Sequence, residues 1–190
     1  MKRAYFVTGI DTDAGKSIVT GVLARALSAR GERVITQKFI QTGCDGLSED
    51  IETHRRIMGS GLLPEGEDGT TWPIVFAYPA SPHLAAAIGG RDIDLTLIGR
   101  STEKLLQKYD TVLIEGAGGL YVPLSEAYRT IDYVAEHGLP VVLVTSPRLG
   151  SINHTLLSLE ACRNRNIEVA AVAYNLYPPA PEPIVRDTRT

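Results

Sequence analysis

Nine consecutive residues near the start of the chain, Gly9-Ile10-Asp11-Thr12-Asp13-Ala14-Gly15-Lys16-Ser17, have the make-up of a loop that wraps a phosphate chain. Glycines at both ends let the backbone close around an anion with its N–H groups turned inward, and the positive end of a following helix adds to the field. In this reading Asp13, Ala14, Gly15, Lys16, Ser17 and Ile18 contact the nucleotide, with the Lys16 ammonium at the β- and γ-phosphates and the Ser17 hydroxyl on Mg²⁺. Five residues separate Gly9 from Gly15-Lys16 where the general pattern has four, so the loop is a variant. Its bland alternative is a glycine-rich strand-to-helix turn. The expected ligand is a nucleoside triphosphate.

A second acidic element follows the apolar run Val112-Leu113-Ile114, namely Glu115-Gly116-Ala117-Gly118-Gly119. A carboxylate at the carboxyl end of a buried strand sits where ligands of open α/β sheets collect. Glu115 is read as a Mg²⁺ ligand, and Gly116, Ala117 and Gly118 as backbone that approaches the nucleotide. The competing reading is a strand-end acid beside a flexible turn. His83 and His154 lack metal-ligand spacing and read as hydrogen-bonded structural residues. Cys44 and Cys162 stand far apart and outside any CxxC spacing, which indicates neither a zinc site nor a disulfide framework and fits a reducing, cytoplasmic setting.

These groups need a scaffold, and the apolar pattern supplies one. Short β-branched runs recur at Ala4 to Thr8, Val34 to Lys38, Thr111 to Glu115, Pro140 to Thr145 and Val169 to Tyr174, with helical patterns between them. Continuous apolarity, as in Val141 to Val144, is what a parallel strand covered on both faces needs. The reading is an α/β fold: one doubly wound, mainly parallel sheet with helices on both faces, of the P-loop NTPase kind. Apolar positions from Ile18 to Leu27 give a helix that Gly31 stops, and a second amphipathic stretch runs from Leu95 to Tyr109. Gly59 to Thr71 and the proline-rich Tyr177 to Pro183 carry no clear pattern. With 190 residues, 44% hydrophobic and 22% charged, the chain reads as a single domain over 1–190. Nineteen basic against twenty-two acidic side chains, a net charge of −3, give no footprint for nucleic acid or an anionic membrane, and no apolar run is long enough to span one.

Five blocks, taken together in order and spacing, resemble the dethiobiotin synthetase family: Thr8 through Ser17, Lys38 through Thr42-Gly43, Ser81-Pro82-His83, Glu115 to Gly119, and Leu149-Gly150-Ser151-Ile152-Asn153-His154. The likeness runs from residue 4 to about residue 175. It departs where the family usually has lysine-proline and this chain reads Lys38-Phe39. The resemblance implies that ATP and Mg²⁺ drive the carboxylation of 7,8-diaminononanoate by CO₂ and closure of a ureido ring, giving dethiobiotin, ADP and phosphate. Lys38, Lys16 and Thr12 then carry the catalysis, and Thr12, Lys38, Thr42, Gly150 and Asn153 bind the substrate. Asp50 joins Ser17 and Glu115 around the metal, although Glu49 beside it competes for that role. The Gly150-Asn153 segment serves the substrate across a homodimer interface; taken alone, Ser151 there is a plain helix cap. Asn175, just after the last strand, holds the place of the residue that reads the adenine edge, and family members usually continue beyond the point where this chain stops.

The loop admits other readings. A deviant P-loop switch ATPase would place a lysine where this chain has Asp11. A cobyrinate-type synthetase would add a glutaminase domain, and a regulatory copy would bind nucleotide alone.

Overall fold

The computed structural model describes residues 2–177, 179 and 181–188. Five strands form one parallel sheet: β1 (Arg3–Gly9), β2 (Val34–Lys38), β5 (Thr111–Glu115), β6 (Val141–Thr145) and β7 (Val169–Tyr174), in the order β2-β5-β1-β6-β7. A separate two-stranded pair, β3 (Gln41–Thr42) and β4 (Val75–Phe76), lies beyond the end of β2. The long helices are α1 (Lys16–Ala29), α5 (Leu95–Lys108) and α7 (Ser151–Asn164); α2 (Glu49–Met58), α3 (Pro64–Glu67), α4 (Pro82–Ile88), α6 (Thr130–Glu136) and α8 (Glu182–Asp187) are shorter.

Alternate residues along each central strand enter different cores. Phe6, Val112, Ile114, Val141 and Leu143 pack on one face with Ile98 and Leu105 of α5, Ile131 and Val134 of α6, and Ala161 and Cys162 of α7. Val7, Leu113, Val142 and Val144 pack on the other against Ala24, Val19, Leu23 and Leu27 of α1. Period-two side chains therefore meet apolar partners on both sides, which is why the strands read as unbroken apolar runs. The doubly wound expectation holds, with three strands bounded as read and β1 extended by one residue at each end. β6 starts at Val141 because Pro140 has no N–H to donate, though its carbonyl still accepts from Phe6 N at 2.9 Å.

The patternless stretch 59–71 is ordered around α3. Its Thr71 carbonyl accepts from Lys38 N at 2.7 Å, and Phe39 N returns to Glu115 O at 2.8 Å, so the chain leaving β2 is tied on both sides. The proline-rich stretch falls partly outside the described residues. Among those that are described, no helix is long and apolar enough to cross a membrane.

Candidate functional site

A crevice of about 590 Å³ opens at the carboxyl ends of β1, β2 and β5. The phosphate loop forms one wall. Between β1 and α1 the chain passes through left-handed backbone at Asp13 (φ 61°) and Gly15 (φ 91°). At Gly15 a side chain would be strained by the left-handed backbone, and its Cβ, 2.2 Å from Asn175 Nδ2, would displace that amide. Lys16 folds back so that Nζ donates to Asp11 O at 3.1 Å. Burial first, and Lys38 second, hold its ammonium below the ordinary lysine value.

The opposite wall is built of charge. The register β2 to β5 sets Lys38 beside Glu115, both in buried strands. Lys38 Nζ pairs with Glu115 Oε1 at 3.0 Å and with Asp50 Oδ2, and donates to Gly116 O at 3.3 Å. Burial opposes its charge, but Glu115 and Asp50 outweigh burial and raise its pKa. Glu115 mirrors this: burial pushes its carboxyl up, and Lys38 and His54 more than offset that, leaving it below the usual carboxylate range. Ser17 Oγ lies 2.7 Å from Asp50 Oδ1 and 2.9 Å from Glu115 Oε1. Ser48 caps α2 by accepting from Ile51 N at 3.3 Å and is itself bonded to Gln41 Oε1 at 2.6 Å, which fixes the helix that delivers Asp50. It is Asp50, and not the exposed Glu49, that faces Ser17. Glycine is required at position 116, where a Cβ would meet the Phe6 ring at 2.8 Å.

A phosphate loop facing paired carboxylates and a locked lysine is a nucleotide-dependent site, and comparison with known proteins says which. A family model described as an AAA domain matches residues 3–189. The "ATP-dependent dethiobiotin synthetase BioD 2" of Pasteurella multocida is 52% identical over 189 residues, covering 100% of this chain and 89% of that protein. The corresponding synthetase of Chlorobaculum tepidum is 55% identical, covering 96% of this chain and 77% of that one, and a BioD 2 of Haemophilus influenzae is 54% identical, covering 94% and 93%. The chain belongs to the dethiobiotin synthetase family. Among solved structures it is similar in fold to the kinase domain of the Escherichia coli tyrosine kinase ETK (TM-score 0.56, 16% identity, 92% of this chain and 67% of that one). A ParA family ATPase from Chlorobium tepidum is similar too (TM-score 0.52, 17% identity, 92% and 73%). At such identities the likeness concerns the fold alone.

The crevice brings together Thr12, Asp13, Gly15, Lys16, Ser17 and Ile18 from the loop and Lys38, Thr42 and Asp50 from β2, β3 and α2. Glu115, Ala117 and Gly118 enter from β5 and the turn after it. Ala14 is buried behind the loop, and its carbonyl accepts from Asn175 Nδ2 at 3.0 Å. Gly150 and Asn153 do not line the crevice; both are exposed at the start of α7. Gly150, in left-handed backbone, is the N-cap there, so Ser151 is the first helical residue and no cap. His83 bonds Ser81 at 3.1 Å and His154 is exposed beside Asp11, neither near the carboxylates. Pro79 to Pro82 complete the rim. Missing from the sequence reading is His54, fully buried against Glu115. Its signal was its position four residues after Asp50, on the same face of α2.

Proposed function

We propose that this crevice performs the reaction for which the family is named: ATP-dependent conversion of 7,8-diaminononanoate and CO₂ to dethiobiotin, ADP and phosphate. The supporting observation is the Ser17–Asp50–Glu115–Lys38 bracket facing the phosphate loop, in a chain whose relatives at 52 to 55% identity carry that name. One amine takes up CO₂ as a carbamate, a carbamate oxygen accepts the γ-phosphoryl group from ATP, and the second amine then attacks the carboxyl carbon and expels phosphate.

Lys16 neutralises the phosphates being separated, where the helix end and loop N–H groups already point. Lys38 is kept charged by two carboxylates, so it serves as a fixed cation toward the carbamate and not as a base. Thr12 and Thr42, both lining the crevice, offer hydroxyls that donate to carbamate oxygens or accept from an amine. Asp13 to Ile18 and Glu115 to Gly118 hold the nucleotide, with Asn175 at the loop's back toward the base.

Mg²⁺ fits the donors present, because one hydroxyl and two carboxylates converge within 2.9 Å, all hard oxygen ligands. Ser17, Asp50 and Glu115 would hold it, and it would supply charge neutralisation on the β- and γ-phosphates when bound. A set of this size leaves the remaining positions to phosphate oxygens and water.

Gly150 and Asn153 belong to a second subunit's crevice in this reading. Leu149 (96% exposed), Ile152 and Leu156 (60% exposed) form an apolar stripe on the same helix end, which supports a homodimer in which α7 carries the substrate's carboxylate at its N-terminus. The buried free thiols Cys44 and Cys162 support a cytoplasmic location, and a single five-stranded sheet whose strands β1, β2 and β5 all end at the crevice supports a single domain.

The test is coupling. With ATP, Mg²⁺, bicarbonate and 7,8-diaminononanoate, phosphate release should match dethiobiotin formation mole for mole and should stop without the diamine. Phosphate release indifferent to the diamine would instead identify a switch ATPase.

A further inference from the structure

We propose that His54 is a positioning residue that fixes which oxygen of Glu115 faces the metal; this rests on the metal site proposed above. The His54 ring is fully buried on α2 and spans two strands, with Nε2 2.6 Å from Glu115 Oε2 on β5 and Nδ1 3.0 Å from Thr36 Oγ1 on β2. Arg55, the next residue, reaches the same threonine: Nη1 donates to Thr36 Oγ1 at 2.8 Å and Nη2 to Thr36 O at 3.3 Å.

The directions of these bonds follow from what each group carries. The Thr36 oxygen accepts from Arg55, and its own proton is available to His54 Nδ1. The Glu115 carboxylate has acceptors only, so the short bond at Oε2 is donated by a proton on His54 Nε2. That oxygen is thereby occupied, and Oε1 is the one turned to Ser17 and Lys38. Glu115 accordingly meets the cation through one oxygen held in a set direction. Mg²⁺ demands near-ideal octahedral geometry, so a carboxylate free to rotate or to chelate through both oxygens serves it poorly.

The same bond also places Asp50. Asp50 and His54 are four residues apart, so they share one face of α2, and anchoring the histidine to β5 anchors the turn that presents the aspartate. His54 touches neither phosphate nor substrate in this arrangement; it acts through Glu115 and Asp50.

The experiment measures Mn²⁺, as a paramagnetic substitute for Mg²⁺, binding to the ADP-loaded protein by electron paramagnetic resonance, alongside ADP binding without metal. His54→Leu should weaken Mn²⁺ by roughly 10- to 100-fold, the usual cost of losing a group that orients a ligand. His54→Gln, whose amide nitrogen can still donate to Glu115, should recover most of that loss, and metal-free ADP binding should be unchanged in both. A folded His54→Leu with parental Mn²⁺ affinity overturns the inference. So does a His54→Gln as weak as His54→Leu with metal-free ADP binding equally reduced, the mark of a merely structural role. Should His54→Leu not fold, ¹⁵N spectra of the parent ring decide: a proton on Nε2 supports the relay, and a neutral ring protonated at Nδ1 overturns it. If the parent binds no Mn²⁺ with ADP, or Glu115→Ala binds it as the parent does, the metal site itself is wrong, a failure distinct from parental affinity in His54→Leu alone.

Discussion

The sheet has two edge strands, and they are finished in opposite ways. β2 is buried along all five residues: α2 and the stretch around Thr71 enclose its end, and Thr36 and Lys38 point to partners within the chain. β7, at the other edge, is largely exposed, with Val172 48% accessible, and nearby α7 turns Leu149, Ile152 and Leu156 to solvent. An edge strand invites pairing or cover unless it is blunted. The chain thus completes the charged wall of its crevice by itself, while its β7–α7 side presents apolar surface suited to another surface. The proposed catalytic cation Lys38 lies on the closed side and the proposed carboxylate-binding residues, Gly150 and Asn153, on the open one.

Breaking the closed side should have the largest effect. Lys38→Ala removes a buried cation held by two carboxylates, leaving Asp50 and Glu115 facing each other without it. We expect kcat to fall by at least roughly 10²-fold, the scale of one lost electrostatic contact to a developing charge. Lys16→Ala should cost a similar factor through the phosphates. Steady-state rates at saturating ATP and diamine check both, and near-parental turnover by Lys38→Ala would remove that lysine from the mechanism.

The two sides were not equally legible. β2, β5 and β7 were bounded from the sequence because burial on both faces, or a sharp change in composition at their ends, leaves a local mark. β3 and β4 left none, since two residues each cannot show a period, yet β3, paired to β4, carries Gln41 and Thr42 to the crevice. The phosphate loop is contiguous and carries glycine at one of its two left-handed positions, Gly15, so its chemistry is written in nine letters. The charged wall is assembled from positions as far apart as Ser17 and Glu115; those two are legible as metal ligands from the loop and the strand end, whereas Lys38 and Asp50 gain their roles only through the family resemblance. His54 escaped because its partners, Thr36 and Glu115, are brought to it only by packing.

On the open side the effect should be smaller and should appear in substrate binding. A Leu149→Asp, Leu156→Asp double variant places charge on an exposed stripe and disturbs no core contact, so the protomer should stay folded. We expect sedimentation to show a monomer and the KM for the diamine to rise about tenfold or more, as one or two charge-assisted contacts to its carboxylate are lost. Metal-free ADP binding should not change. A variant that remains dimeric with parental KM would show that this stripe is not the interface.

The smallest effect concerns the base, at the junction of the two sides. Asn175 follows β7, and its amide is engaged within the chain: Nδ2 donates to Ala14 O and Tyr177 O, both at 3.0 Å, and Oδ1 accepts from Tyr177 N at 3.1 Å. An amide has two N–H donors and one carbonyl oxygen, so reading an adenine edge requires giving up at least one of these bonds or sharing the oxygen. The exchange gains little, since a net hydrogen bond contributes on the order of 0.5 to 1.5 kcal/mol, at most about tenfold in affinity. The phosphates, by contrast, meet the loop, the helix end and Lys16 whatever the base, and these charge-assisted contacts dominate binding. ATP should therefore be preferred over GTP and CTP by no more than about tenfold in kcat/KM. Asn175→Ala should change that ratio little and instead weaken all three nucleotides together, because it frees the Ala14 carbonyl behind the loop. Measured ratios decide the matter: a preference for ATP of several hundredfold, lost in Asn175→Ala, would show that the amide leaves Ala14 and Tyr177 to grip the base.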